Sequence, residues 1–200
     1  MKDCCDVMTD VSVEQRRVLQ IVLWINLAMF LVEFGAGLLA ESTALLADSV
    51  DMLGDAIVYG FSLYVVGRGS AWQARAGMLK GVVMAAFGFG VLAEATMKIV
   101  RGDVPAADVM GGIGLVALAA NLACLLLLRR RRADDINMRS AWLCSRNDVM
   151  ANAGVLLAAA GVFVTSSAWP DIAIGLLIAA MFVTSAFSVI REARRALQCS

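Results

Sequence analysis

The chain has 200 residues, 60% of them hydrophobic, with 17 basic side chains, 17 acidic ones and no histidine. A soluble domain is roughly 45–50% apolar, so the surplus points to a single integral membrane domain. The balanced charge gives no reason to expect a nucleic-acid partner, the lack of histidine removes the commonest nitrogen ligand for transition metals, and the five cysteines form neither a disulfide framework nor a CxxC zinc pattern.

In chain order, residues 1–17 (MKDCCDVMTDVSVEQRR) are polar and lack a signal-peptide pattern. They are expected to form a cytoplasmic tail in which Cys4 and Cys5 stay as free thiols. A membrane helix needs about 20 mainly apolar residues, and six stretches qualify, at roughly 18–39, 43–66, 77–99, 107–128, 140–165 and 170–190. The breaks between them have chemical causes. Glu41-Ser42-Thr43 is a polar turn, Arg68-Gly69-Ser70 ends the second span, and Arg101-Gly102-Asp103 with Pro105 ends the third. Arg129 to Arg132 and then Ala133-Asp134-Asp135 end the fourth. Trp169-Pro170-Asp171 opens the last, and Pro suits the first turn of a helix. The expected fold is therefore an all-α integral membrane protein with six transmembrane helices over residues 18–190 and a short tail over 191–200. Arg16, Arg17, Arg68, Arg75, Arg129 to Arg132, Arg139, Arg191 and Arg194 fall on one side, against Lys98 and Arg101 on the other. The positive-inside rule then places both termini in the cytoplasm.

The second stretch contains ALLADSVDMLGDAIVYG, with Asp48, Asp51 and Asp55 inside an apolar run. Facing lipid, three such acids cost on the order of 10 kcal/mol, so they must face protein or a hydrated cavity. Spacings of three, four and seven residues put them on one helical stripe. The fifth stretch contains SRNDVMAN, where Cys144 and Asp148 are again i and i+4 and Asn147 projects from a neighbouring angle. Counted from Arg68 and Arg139, Asp55 and Asp148 differ in depth by about 6 Å; Asp51 lies a turn further out. Two helices presenting acids at similar depth suit a divalent cation. Asp51, Asp55 and Asp148 supply hard oxygens and Cys144 a soft sulfur, and four such ligands fit a tetrahedral ion of the zinc class. Protons compete for the same oxygens, which gives a physical basis for exchange of metal against H⁺. The competing structural account has the acids pair with Arg146 or with amides to lock the bundle.

Other polar residues carry separate expectations. Asn26 and Glu33, seven apart on the first span, either line the same cavity or bond to the second span. Glu94 and Lys98 are spaced for an i,i+4 ion pair. Asn121 and Asn152 are expected to bond between helices, and Gly35-Ala36-Gly37 and Gly88-Phe89-Gly90 to allow close packing.

The run Ser42-Thr43-Ala44-Leu45-Leu46-Ala47-Asp48-Ser49-Val50-Asp51-Met52-Leu53-Gly54-Asp55 resembles the cation diffusion facilitator transporters. The resemblance implies six spans, cytoplasmic termini, a homodimer and a multi-pass location in a bacterial cytoplasmic membrane. It implies export of zinc, cobalt, nickel or cadmium by proton antiport, with the metal as transported substrate and no cofactor. Matched by position, it implicates Asp51, Asp55, Cys144 and Asp148 as ligands, with Asp48 and Asn147 as further candidates. Cys144 stands where that family commonly has His or Asp, so Asn147 is the alternative fourth ligand, and Arg146 could replace a mobile proton with a fixed charge. The chain ends soon after the sixth span, where many relatives continue into a cytoplasmic metal-binding domain, and RRRRADD replaces the His-rich loop of some. Cys4 and Cys5, with Asp3 or Asp6, are then either a capturing group for cytosolic metal or a chance pairing. Two other functions share these features. One is a membrane metal sensor or scaffold that binds without transport. The other is an intramembrane aspartyl protease, which the absence of both Tyr-Asp and GxGD argues against.

Overall fold

The computed structural model describes residues 13–65, 70–133 and 136–198. Cys4, Cys5, Asp3, Asp6, the Arg68-Gly69 break and the Asp134-Asp135 pair lie outside the described residues. Among these residues there are six helices: α1 (Val13–Leu39), α2 (Thr43–Val65), α3 (Ser70–Arg101), α4 (Ala107–Arg129), α5 (Ile136–Thr165) and α6 (Trp169–Gln198). Several run past the apolar stretches that announce them. α1 begins at Val13, α3 at Ser70 and α5 at Ile136, and α6 continues to Gln198. Gln, Arg and Glu are good helix formers, so a helix does not stop where its apolar run stops.

Stretches Glu14–Leu39, Gly81–Arg101, Ala107–Arg129, Ala141–Thr165 and Trp169–Arg195 are long and apolar enough to cross a membrane. Their outward side chains, including Leu31, Leu115, Leu157 and Phe163, are exposed and apolar, as a lipid-facing surface requires. α2 differs because of its three aspartates. It is the hub of the packing, touching α1, α3, α5 and α6, and residues 43–50 are buried without a break.

The α1–α2 turn is built by local hydrogen bonds. Glu41 adopts a left-handed conformation with φ 52°. Glu41 N–H donates to Leu38 O at 3.4 Å and Ser42 N–H to Gly37 O at 2.9 Å, the Schellman pattern that closes a helix C-terminus. Ser42 then caps α2, its Oγ accepting from Leu45 N–H at 3.1 Å. Left-handed residues end α3 at Gly102 (φ 74°) and α5 at Ser166 (φ 48°).

The closest helix pairs are α3 with α6, α1 with α2, and α4 with α5. Gly81 and Gly88, seven apart on α3, let Ile190 and Val183 of α6 approach; a Cβ at either glycine would come within 2.5 Å of them. Gly175 of α6 sits against the start of α2, where a Cβ would lie 2.8 Å from the Thr43 carbonyl carbon and 2.9 Å from Ala44 N. One core joins α2, α3, α5 and α6 around Leu45, Met84, Val155 and Phe182. A second joins α1, α2, α4 and α5 around Leu19, Tyr59, Leu128 and Met138.

Candidate metal-binding site

A cavity of about 430 Å³ opens between α2, α5 and α6, with Met84 of α3 on its wall. Asp51 and Asp55 from α2 line it, as do Cys144, Asn147 and Asp148 from α5. It therefore occupies the half of the bundle that holds the C-terminal part of α2 and the N-terminal part of α5. The one-turn offset of Asp51 from Asp55 does not remove Asp51 from the cavity wall.

The structure brings one pair together. Asp55 and Asp148 are 7% and 5% exposed, and their carboxyl groups are near enough across α2 and α5 for their charges to act on one another. No N–H or hydroxyl of the described residues reaches Asp148 Oδ2. Two carboxyl groups this near can be joined only through a proton or a cation. Asp51, Cys144 and Asn147 share the wall; among the described residues no three Cys, Asp or Glu side chains converge on one point. An ion held by more than Asp55 and Asp148 therefore draws in Asp51, Cys144 or Asn147.

Tyr59 belongs to the site and sequence reasoning missed it. Its Oη donates to Asp55 Oδ2 at 2.7 Å, and the hydroxyl lies 3.4 Å from the Ala141 carbonyl of α5. The available signal was its place one turn after Asp55 on an apolar helix. Arg146, by contrast, is exposed and lays its guanidinium over the Trp142 ring at 5.8 Å. It lines no part of the cavity, so neither the structural pairing with Asp148 nor a fixed charge at the site is formed.

Asp48 is displaced from the other two aspartates of its helix. It lies about 10 Å along the axis from Asp55, is 1% exposed, and accepts from Asn152 Nδ2 at 2.5 Å. Asn152 in turn accepts from Asn121 at 3.2 Å, so the expected interhelical amide bonds form. Glu33 is near enough to Asp48 of α2 for the two charges to interact, whereas Asn26 donates to Val22 O of its own helix. Neither lines the cavity.

The Glu94–Lys98 pair is a correction. Lys98 instead crosses to Asp171 of α6 at 2.7 Å, with side-chain exposures of 2% and 0%, and Glu94 pairs with Arg101 at 3.2 Å. A buried ammonium gains more from a buried carboxylate than from an exposed one on its own helix. Asp171 also accepts from Ser42 Oγ at 2.7 Å, Thr43 N–H at 2.8 Å and Ala44 N–H at 3.1 Å. Lys98 Nζ donates a further bond to Glu41 O. One knot thus ties α2, α3 and α6 at the end opposite the cavity.

Apolar helices packed about an acidic cavity describe a polytopic membrane protein. The sequence model described as the cation efflux transmembrane domain matches residues 19–198, and the chain belongs to the cation efflux family. Proteins of this family are transporters, not enzymes. The chain is 24% identical to a cadmium, cobalt and zinc/H(+)-K(+) antiporter of Bacillus velezensis, over 88% of this chain and 61% of that protein. It is 25% identical to the metal cation efflux system protein CzcD of Cupriavidus metallidurans, over 81% of this chain and 55% of that protein. The cation efflux system protein CzcD of an Alcaligenes strain matches equally, at 25%. The chain thus spans roughly three fifths of the length of these relatives.

Proposed function

We propose that this chain carries a divalent transition-metal cation of the zinc, cobalt, nickel and cadmium class out of the cytosol in exchange for protons. The ion is the substrate, held by Asp55 and Asp148 with Asp51 and either Cys144 or Asn147 completing its shell. The observation that carries the reading is the closeness of Asp55 and Asp148 across α2 and α5. Acids on two helices with a cavity beside them make a site that relative movement of the helices can open and close. Carboxylate oxygens with one thiol suit a borderline ion better than Mg²⁺ or Ca²⁺. The name of the Bacillus velezensis relative, a cadmium, cobalt and zinc/H(+)-K(+) antiporter, agrees with this class. All six helices cross the bilayer in this reading, because the aspartates of α2 are sheltered by α1, α5 and α6. The positive-inside rule puts both termini and the cavity half in the cytoplasm, and the bacterial relatives favour a bacterial inner membrane. A homodimer is the proposed assembly.

Reconstituted vesicles under an imposed pH gradient test the reading. The unaltered protein takes up zinc, cobalt or cadmium, and uptake falls to background in Asp55→Asn and Asp148→Asn. No flux in the unaltered protein removes the exporter reading, and binding without flux makes the protein a sensor or scaffold. Flux that survives both substitutions moves the site elsewhere. If Cys144→Ser leaves the ranking of metals unchanged, Asn147 rather than the thiol completes the shell.

A further inference from the structure

A second carboxyl pair lies outside the metal cavity. Glu33 of α1 and Asp48 of α2 are 0% and 1% exposed, and their carboxyl groups are near enough for their charges to act on one another. No N–H or hydroxyl of the described residues reaches either oxygen of Glu33. Asp48 receives one donor, from Asn152. Asn152 leads on to Asn121, whose Oδ1 is buried without a donor. Each of α1, α2, α4 and α5 thereby contributes one polar side chain to a single buried run of polar groups.

The charges around the pair do not balance it. Among the described residues no lysine or arginine forms an ion pair with Glu33 or Asp48. The other titratable groups acting on the two are Asp51 on the same helix and Asp148 on α5, both acidic. Two neighbouring carboxyl groups in hydrocarbon, with orphaned oxygens and no basic partner, call for a small cation between them. The donor set contains oxygen only. Hard oxygen sites favour protons and hard metal ions over the softer transition metals.

We infer that Glu33 and Asp48 form a separate seat for a monovalent cation, a proton or an alkali-metal ion, which leaves as metal binds. The inference rests on the exporter reading for the identity of the partner ion. The geometry supplies the coupling. Asp48 and Asp55 are seven residues apart on α2, about 10 Å along its axis. Two cations at that separation in a low-dielectric bundle repel one another. Occupancy of one seat therefore weakens the other, and by linkage the effect is reciprocal. A proton shared permanently by the pair, as a strut between α1 and α2, would show no such antagonism.

Equilibrium binding of Co²⁺ to the full chain in nanodiscs decides between them. In one arm K⁺ replaces choline at constant pH and ionic strength; in the other, protons released per Co²⁺ bound are counted at constant K⁺. An alkali-metal seat weakens Co²⁺ affinity at least fivefold in the first arm, and a proton seat appears as released protons in the second. Glu33→Gln and Asp48→Asn abolish the K⁺ effect or lower the proton count, while Co²⁺ affinity without K⁺ changes less than threefold. Glu33→Asp, which keeps the carboxyl, restores the dependence and controls for misfolding. Unchanged K⁺ and proton responses in Glu33→Gln and Asp48→Asn overturn the inference. Loss of Co²⁺ binding in both variants also overturns it, because the pair would then belong to the metal site. The measurement requires no flux, so failure of the exporter reading and failure of this one are separate results.

Discussion

Tyr59 is the residue whose role is easiest to isolate. Its hydroxyl holds Asp55 Oδ2 at 2.7 Å, so it orients a proposed ligand without being one. Removing a hydrogen bond of this outer kind costs about 10–100-fold in metal affinity. Tyr59→Phe is expected to show that loss for Co²⁺ or Cd²⁺ with the fold intact; unchanged affinity would mean that Asp55 is positioned by packing alone. The acids themselves were legible in the sequence, because an ionisable residue in an apolar helix stands out and the i,i+4 spacing sets its direction. Their partners were not. Glu33 lies near Asp48, and Lys98 meets Asp171 at a separation of 73 residues; local periodicity carries no information about such distant partners. The i,i+4 rule that located Asp51 and Asp55 also gave the wrong partner for Lys98, since it ignores how deeply the ammonium is buried.

At the level of helices, Asp171 does two things at once. It neutralises Lys98 and it caps the first turn of α2 through Thr43 N–H and Ala44 N–H. Loss of one partner of a buried pair costs about 3–5 kcal/mol. Asp171→Leu is expected to fall at the upper end of that range or beyond it, because the cap is lost as well. Lys98→Met should cost less, since Asp171 keeps three donors. Thermal unfolding in detergent checks the order, and equal destabilisation would show that the cap contributes nothing. Gly175 makes a sharper case. A methyl group there meets Thr43 Cγ2 and the backbone of α2 at Thr43 and Ala44, so Gly175→Ala should cost about 1–3 kcal/mol through overpacking. The helices were read from apolar runs to within a few residues at their tight turns, as at Glu41. They were read short where charged helix formers extend them, as at Arg191 and Arg194.

Over the whole molecule, Cys124 and Cys144 report on access. Cys144 is half-buried on the cavity wall and Cys124 is buried. With Cys4, Cys5 and Cys199 replaced by Ser, a thiol reagent is expected to label Cys144 well before Cys124, and Cd²⁺ to slow that labelling. Mass spectrometry of the labelled peptides reads both effects, and Cd²⁺ protection of neither thiol would separate the metal from the cavity. The cavity and the Lys98–Asp171 knot sit at opposite ends of α2, the helix that touches α1, α3, α5 and α6. Movement at one end therefore has a fixed point at the other to turn about.

That knot also sets an order of events on the ribosome. Lys98 enters the bilayer with α3, and its carboxylate is not synthesised until the start of α6. Until then a nascent chain holds an unneutralised ammonium, and the first amides of α2 lack Asp171 as acceptor. Arrival of the last helix completes three elements in one step, so nascent chains stalled before Trp169 should be cleared by membrane proteases far faster than chains that have passed Asp171.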